Sequence, residues 1–185
     1  MQCPKEQSVE LLDGGQLPDG PAAHRCPSCS GSWIPGEVYR AWRSQQPAAI
    51  CEPLPKVLAS AASASPYDGR AALCPACGHY LARVRIGQPQ SFFIERCKNC
   101  QGVWCDPGEW ETLLAAGLHG AIDQFFSEAW QAQVKALQYQ YKERQAIVEK
   151  LGEDLASRLF DLARALEEHP DGEFGVAYLM RRFDS

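Results

Sequence analysis

The chain has 185 residues, 45% of them hydrophobic and 22% charged, and its 18 basic and 23 acidic side chains leave a net charge of −5. This describes an ordinary soluble protein with room for one medium domain or two or three small ones, and it gives no global attraction for nucleic acid. No apolar run approaches the ~20 residues that cross a bilayer, and Lys5 is followed by Glu6 and Glu10 rather than an apolar segment, so a membrane span and a secretory signal are both excluded and a cytoplasmic location is expected.

Residues 1–46 read as a first small module. Gly/Pro-rich turns (Asp13-Gly-Gly and Pro18-Asp-Gly-Pro) separate Cys3 from Cys26-Pro-Ser-Cys29, so its strands must be short. Pro35-Gly-Glu then opens a helix, with proline near the first turn and an acidic side chain suited to the positive helix end. Residues 47–70 shift to Pro, Ala and Ser and read as a linker. In residues 71–118, Tyr80-Leu-Ala-Arg-Val-Arg-Ile alternates as a strand, Gly87-Gln-Pro-Gln turns the chain, and Ser91-Phe-Phe-Ile-Glu-Arg-Cys returns it as a hairpin. Asp106-Pro-Gly-Glu is expected to cap a helix through about Ala116.

Residues 119–185 form a helical region. Between Ala121 and Leu151 there is neither Pro nor Gly, which predicts one helix of roughly 30 residues. Heptad-spaced Trp130, Val134, Leu137, Tyr141, Val148, Leu151 and Leu155 run along it, interrupted at Arg144. Gly152 is a natural end, with a second helix over Glu153–Glu168 and a short third one over Glu173–Phe183. These stripes fit either a helical hairpin packed on itself or a self-associating coiled coil. The predicted class is α+β.

Nine cysteines in a reducing compartment point to metal rather than disulfides, and the odd count argues against full pairing. Cys74, Cys77, Cys97 and Cys100 form two C-x-x-C pairs joined by the hairpin. Each tight turn aims two thiolates at one ion, and two turns complete the tetrahedron that zinc prefers. Four thiolates also bind a single iron, and Cys74-Pro-Ala-Cys77-Gly-His79 resembles a rubredoxin knuckle; an absorbance spectrum separates the metals. A thioredoxin-like dithiol would need a βαβ pattern and no second pair.

Upstream, Cys3, Cys26 and Cys29 stand 71 positions before Cys74, Cys97 and Cys100, but the position matching Cys77 is Glu6. The chain therefore reads as a tandem whose first copy is degenerate. Its fourth ligand could be Glu6, His24 or Cys51, and the alternative is that this copy binds no metal. An open zinc position is also how catalytic sites are built, but no neighbouring general acid or base is evident, and the chain is read as not an enzyme. A nucleophilic pairing of Cys51 or Cys105 with His79 or His119 has no evident partner geometry. Cys105 and His169 are read as a packing residue and a helix cap, and Trp33 and Trp104 as covers for the metal knuckles.

The segment Cys74-Pro-Ala-Cys-Gly, with Cys97-Lys-Asn-Cys-Gln-Gly-Val-Trp-Cys-Asp-Pro-Gly-Glu109, resembles the bacterial transcription factor IIB-type zinc-ribbon family. The likeness covers about residues 72–117 and extends less fully to the first copy. It implies zinc at Cys74, Cys77, Cys97 and Cys100, and at Cys3, Cys26 and Cys29. It implies little about activity.

Two functions follow as expectations. In the first, structural zinc holds an adaptor whose acidic C-terminal helices, with eight basic and twelve acidic side chains from residue 119, bind a protein partner or a second copy. The second is nucleic-acid binding or a transcription-associated role for the basic face of the second ribbon: Arg83, Arg85, Arg96 and Lys98, with Phe92 or Phe93 stacking on bases.

Overall fold

The computed structural model describes residues 1–47, 65–87 and 91–183. Cys51, most of the expected linker and the turn after Gly87 lie outside the described residues. The chain divides into two compact units, Met1–Gln133 and the part from Val134 on.

In the first unit, three short strands, β1 (Leu12–Gln16), β2 (Ala22–Arg25) and β3 (Ser32–Ile34), lead into helix α1 (Gly36–Arg43). The arrangement then recurs as β4 (Leu81–Ile86), β5 (Phe92–Cys97), β6 (Val103–Cys105) and α2 (Glu109–Ala115). All six strands share one antiparallel sheet in the order β1-β2-β3-β6-β5-β4. The two modules meet at β3 and β6, where Trp33 lies directly opposite Trp104, 71 positions on, giving the pairing the symmetry of an isologous interface within one chain. Both central strands are fully buried. A ribbon of about 45 residues has too little core to fold unaided, and fusing two of them removes an exposed edge from each.

Close packing at the join depends on two glycines. A Cβ on Gly31 would stand 2.2 Å from the Trp104 indole, and one on Gly102 would stand 2.2 Å from Trp33. The sequence suggests that each tryptophan covers its own knuckle; Trp33 and Trp104 share one buried cluster with Cys26, Cys29 and Cys97, and each indole also lies on the glycine that follows the other module's knuckle. This exchange follows from the antiparallel β3–β6 pairing, which carries each indole across the join. Each buried Trp contributes on the order of 3–5 kcal/mol, judged by truncation to Ala.

The expected cap at Asp106 takes another form. The helix begins after Gly108, and no side chain caps it. Glu109 Oε2 reaches back to accept the Asp106 N–H (2.7 Å), and Asp106 Oδ1 accepts the Trp104 indole N–H (2.7 Å). The indole thus takes the carboxylate that would otherwise cap. A short helical segment, His119–Ala121 followed by α3 (Ile122–Phe125), closes this unit against α1. There Tyr39 Oη donates to the His119 carbonyl (3.1 Å) and accepts from Ile122 N (3.2 Å), while Trp42, Trp110 and His119 stack with centroids 5.5–5.7 Å apart.

The predicted 30-residue helix is broken at Phe126 and Ser127, and α4 spans Glu128–Leu151. Ser127 Oγ donates to the Gln124 carbonyl (2.7 Å) and accepts from Trp130 N (3.3 Å), so a local side-chain network replaces helix continuation and caps α4. The break lets Ile122 and Phe125 both reach the core and brings Phe125 against Trp130, with ring centroids 5.1 Å apart.

In the second unit, Gly152 (φ 76°) separates α4 from α5 (Glu153–Glu168), at a left-handed backbone position that a side chain rarely adopts. Arg144 lies over the Phe160 ring at 3.8 Å, and these residues stand eight positions either side of Gly152, so the chain folds back there. The residue that interrupts the heptads is therefore a cation–π contact. Helix α6 (Gly172–Phe183) packs Gly172 and Gly175 on Leu166. No helix among the described residues is long and apolar enough to cross a membrane.

Candidate metal centres

Three of the four knuckles share one backbone design. Cys26, Cys74 and Cys97 each donate their N–H to the carbonyl five residues on (Gly31, His79 and Gly102; 2.7–2.9 Å). Each second cysteine is followed by a residue with positive φ: Ser30 (61°), Gly78 (71°) and Gln101 (63°). That tight loop turns both sulfurs inward. The fourth knuckle differs, because Cys3 donates to Val9, six residues on, and its turn is longer by one residue.

In the second module the turns bring Cys74, Cys77, Cys97 and Cys100 together, with all four sulfurs within 4.8 Å of one another and Cys74–Cys100 and Cys77–Cys97 at 3.5 Å. Zinc–sulfur bonds of about 2.3 Å in a tetrahedron put sulfurs about 3.8 Å apart, so the set fits one ion and is too wide for disulfides. Cys77 is pushed down to about 5, first by the hydrogen bond from the His79 backbone, whereas burial raises Cys74. The cluster thus already favours one thiolate, and a cation would favour the rest.

In the first module, Cys3, Cys26 and Cys29 are all buried and mutually within 4.8 Å, with Cys3 and Cys29 sulfurs 3.6 Å apart. Glu6 does not join them. Its longer turn directs the carboxylate to Tyr67, whose hydroxyl donates to Oε1 at 3.0 Å, while Oε2 is buried without a hydrogen-bond partner among the described residues. His24 is paired instead with Asp13 at 2.5 Å. Among the described residues the first site therefore offers three sulfurs and a neighbouring carboxylate.

The remaining candidates are dispersed. Cys105 is buried in β6 outside the thiol cluster, and burial raises its thiol well above the usual range. His79 Nδ1 faces the Cys77 carbonyl at 3.1 Å, and His169 Nδ1 accepts from Asp171 N at 3.0 Å. Arg83 pairs with Glu95 (3.1 Å), hydrogen-bonds the Asp68 carbonyl and covers Phe93 at 4.2 Å. Arg96 pairs with Asp123 at 2.5 Å. Arg85 Nε donates to Ser91 Oγ (2.7 Å), and Phe92 is buried. Arg85 and Lys98 remain exposed.

Lys5, between Cys3 and Glu6, carries no site role on sequence grounds. Its ammonium nevertheless enters the second module, with Nζ 2.8 Å from Glu95 Oε1 and donating to the carbonyls of Tyr67 (3.4 Å) and Arg70 (3.3 Å). Both side chains of the Lys5–Glu95 pair are almost wholly buried. A charged residue inside a knuckle was the available signal, but only the β3–β6 join shows what it meets.

Residues 73–116, which make up the second module, match the model of a family described as transcription factor zinc-finger. That match indicates zinc as the metal and a structural domain. No curated protein and no solved structure matches the chain.

Proposed function

We propose that the chain is a non-enzymatic adaptor in which structural zinc holds a two-ribbon platform and the C-terminal helices bind a protein partner or a second copy of the chain. Zinc sits at Cys74, Cys77, Cys97 and Cys100, and at Cys3, Cys26 and Cys29, the latter set belonging to a diverged copy of the ribbon. The carrying observation is the apolar surface of α5 and α6: Leu155, Leu159 and Leu162 are 40–51% exposed, and Phe174, Tyr178 and Met180 are 57–71% exposed. Apolar side chains at this density on neighbouring helices are characteristic of binding faces.

The arginines support this reading over nucleic-acid binding. Arg83 and Arg96 are held in internal ion pairs, and Arg85 and Lys98 alone make a weak polyanion site. Affinity capture or sedimentation should show a partner, or a dimer, for the wild-type chain and none for Leu159→Glu with Tyr178→Glu. Equal capture by both chains, or salt-sensitive nucleic-acid binding lost on Arg85→Ala with Lys98→Ala, would contradict the adaptor reading.

A further inference from the structure

A second kind of metal-ligand set lies beside the thiol clusters. Asp68, Asp106 and Glu109 each place a carboxylate oxygen within 4.8 Å of the others. Asp106 and Glu109 are 3% and 2% exposed, and Asp68 is half-buried. One oxygen of each carboxylate is held by a hydrogen bond: Asp68 Oδ1 from Phe93 N (3.2 Å), Asp106 Oδ1 from the Trp104 indole and Glu109 Oε2 from Asp106 N. The other oxygen of Glu109, Oε1, is fully buried and has no hydrogen-bond partner among the described residues. Fixing one oxygen of a carboxylate while leaving the other free is how surrounding groups orient a metal ligand.

The local charge points the same way. Among the described residues two cations face the cluster, Lys5 and Arg83, and both are committed to Glu95, at 2.8 and 3.1 Å. Lys5 Nζ stands 3.9 Å from Asp106 Oδ2, beyond hydrogen-bond reach, and Arg83 meets the backbone carbonyl of Asp68 rather than its carboxylate. Among the described residues, four carboxylates (Asp68, Glu95, Asp106 and Glu109) against these two cations leave a deficit of two positive charges when all are ionised. Burial raises Glu109 well above the usual carboxylate range and also raises Asp68, with the Asp106 charge adding to both. The first module has no counterpart: Glu37, the matching glutamate, is exposed, and Asp106 is the extra residue between strand and Pro-Gly-Glu.

We propose that Asp68, Asp106 and Glu109 bind one hard divalent cation, of the Mg2+, Mn2+ or Ca2+ class, at a site separate from the thiol clusters. An all-oxygen set selects such ions, whereas the thiols select zinc, so the two kinds of site coexist. The cation supplies the missing charge and ties the segment entering the second module to the β6–α2 turn.

Mn2+ added to the zinc-loaded chain gives a direct readout, since bound Mn2+ leaves the sharp aqueous EPR signal. One Mn2+ per chain is expected, displaced by Mg2+ or Ca2+ and releasing no zinc to a chromophoric chelator. Affinity should fall at least about tenfold in Asp68→Asn, a rim position that spares the core, and be lost in Glu109→Gln. No binding up to millimolar Mn2+, or equal binding by wild type and Asp68→Asn, would overturn the proposal. Greater thermal stability of Glu109→Gln than of wild type in saturating Mn2+ would also overturn it, because Glu109 would then be a carboxylate that the fold keeps protonated.

Discussion

The two modules of the first unit are laid out alike, strand for strand and knuckle for knuckle, yet differ at two turns. The first is the Cys3 turn, one residue longer than the other three, where Glu6 stands in place of a cysteine and bonds Tyr67. The second is the turn after β6, where the additional Asp106 and a buried Glu109 create an acidic cluster that the first module lacks. The central pairing of Trp33 with Trp104 is kept. The contacts across the join are thus alike in the two modules, while the turn after β6 and the Cys3 turn differ between them.

The largest expected effect tests how unequal the two sites are. Cys97→Ser opens a complete thiolate shell and should cost much of the roughly 10 kcal/mol that structural zinc supplies, unfolding the first unit. Cys29→Ser removes one of three thiolates and should cost less; melts and zinc content of the two variants check the order. Equal losses would show the first site to be as complete as the second.

The join should respond symmetrically. Trp33→Ala and Trp104→Ala should each destabilise by about 3–5 kcal/mol in denaturant unfolding, because each indole fills a gap in the opposite module. A loss confined to one variant would mean that the modules do not share their core equally. Lys5→Met should cost about 3 kcal/mol by leaving buried Glu95 with Arg83 alone, and adding Glu95→Gln should recover part of it.

Glu6→Cys sharpens the comparison further. If only the residue type differed, this change would create a second four-thiolate site; the longer turn predicts that it will not. Cobalt loading should therefore show no gain of tetrahedral four-thiolate absorption over wild type.

The smallest effect is a pH dependence at His119. Burial lowers this imidazole below its ordinary 6.5, so it favours the neutral form. Its contribution is present above 6.5 and is lost as the pH falls through the lowered folded value. His119→Gln should flatten the stability curve in that range, as denaturant melts across pH would show.

Much of this was legible in the sequence. Thiolate spacing located both clusters, alternation located the β4–β5 hairpin, and Gly152 located the hinge between α4 and α5. What remained hidden depends on contacts between distant segments. Ser127 breaks a helix because its hydroxyl finds Gln124 and Trp130. The arginines of the second ribbon look like a basic face until Glu95 and Asp123 neutralise Arg83 and Arg96. Lys5 and Glu95 lie ninety positions apart, and no local pattern foretells a pair whose partners meet only once the sheet is joined.

Zinc analysis of the chain purified without added metal, combined with near-UV circular dichroism before and after chelation, tests the central claim most directly. At least one zinc per chain is predicted, with the tryptophan signal of the first unit lost when the metal is removed. A metal-free chain that keeps that signal and its melting temperature would contradict the account.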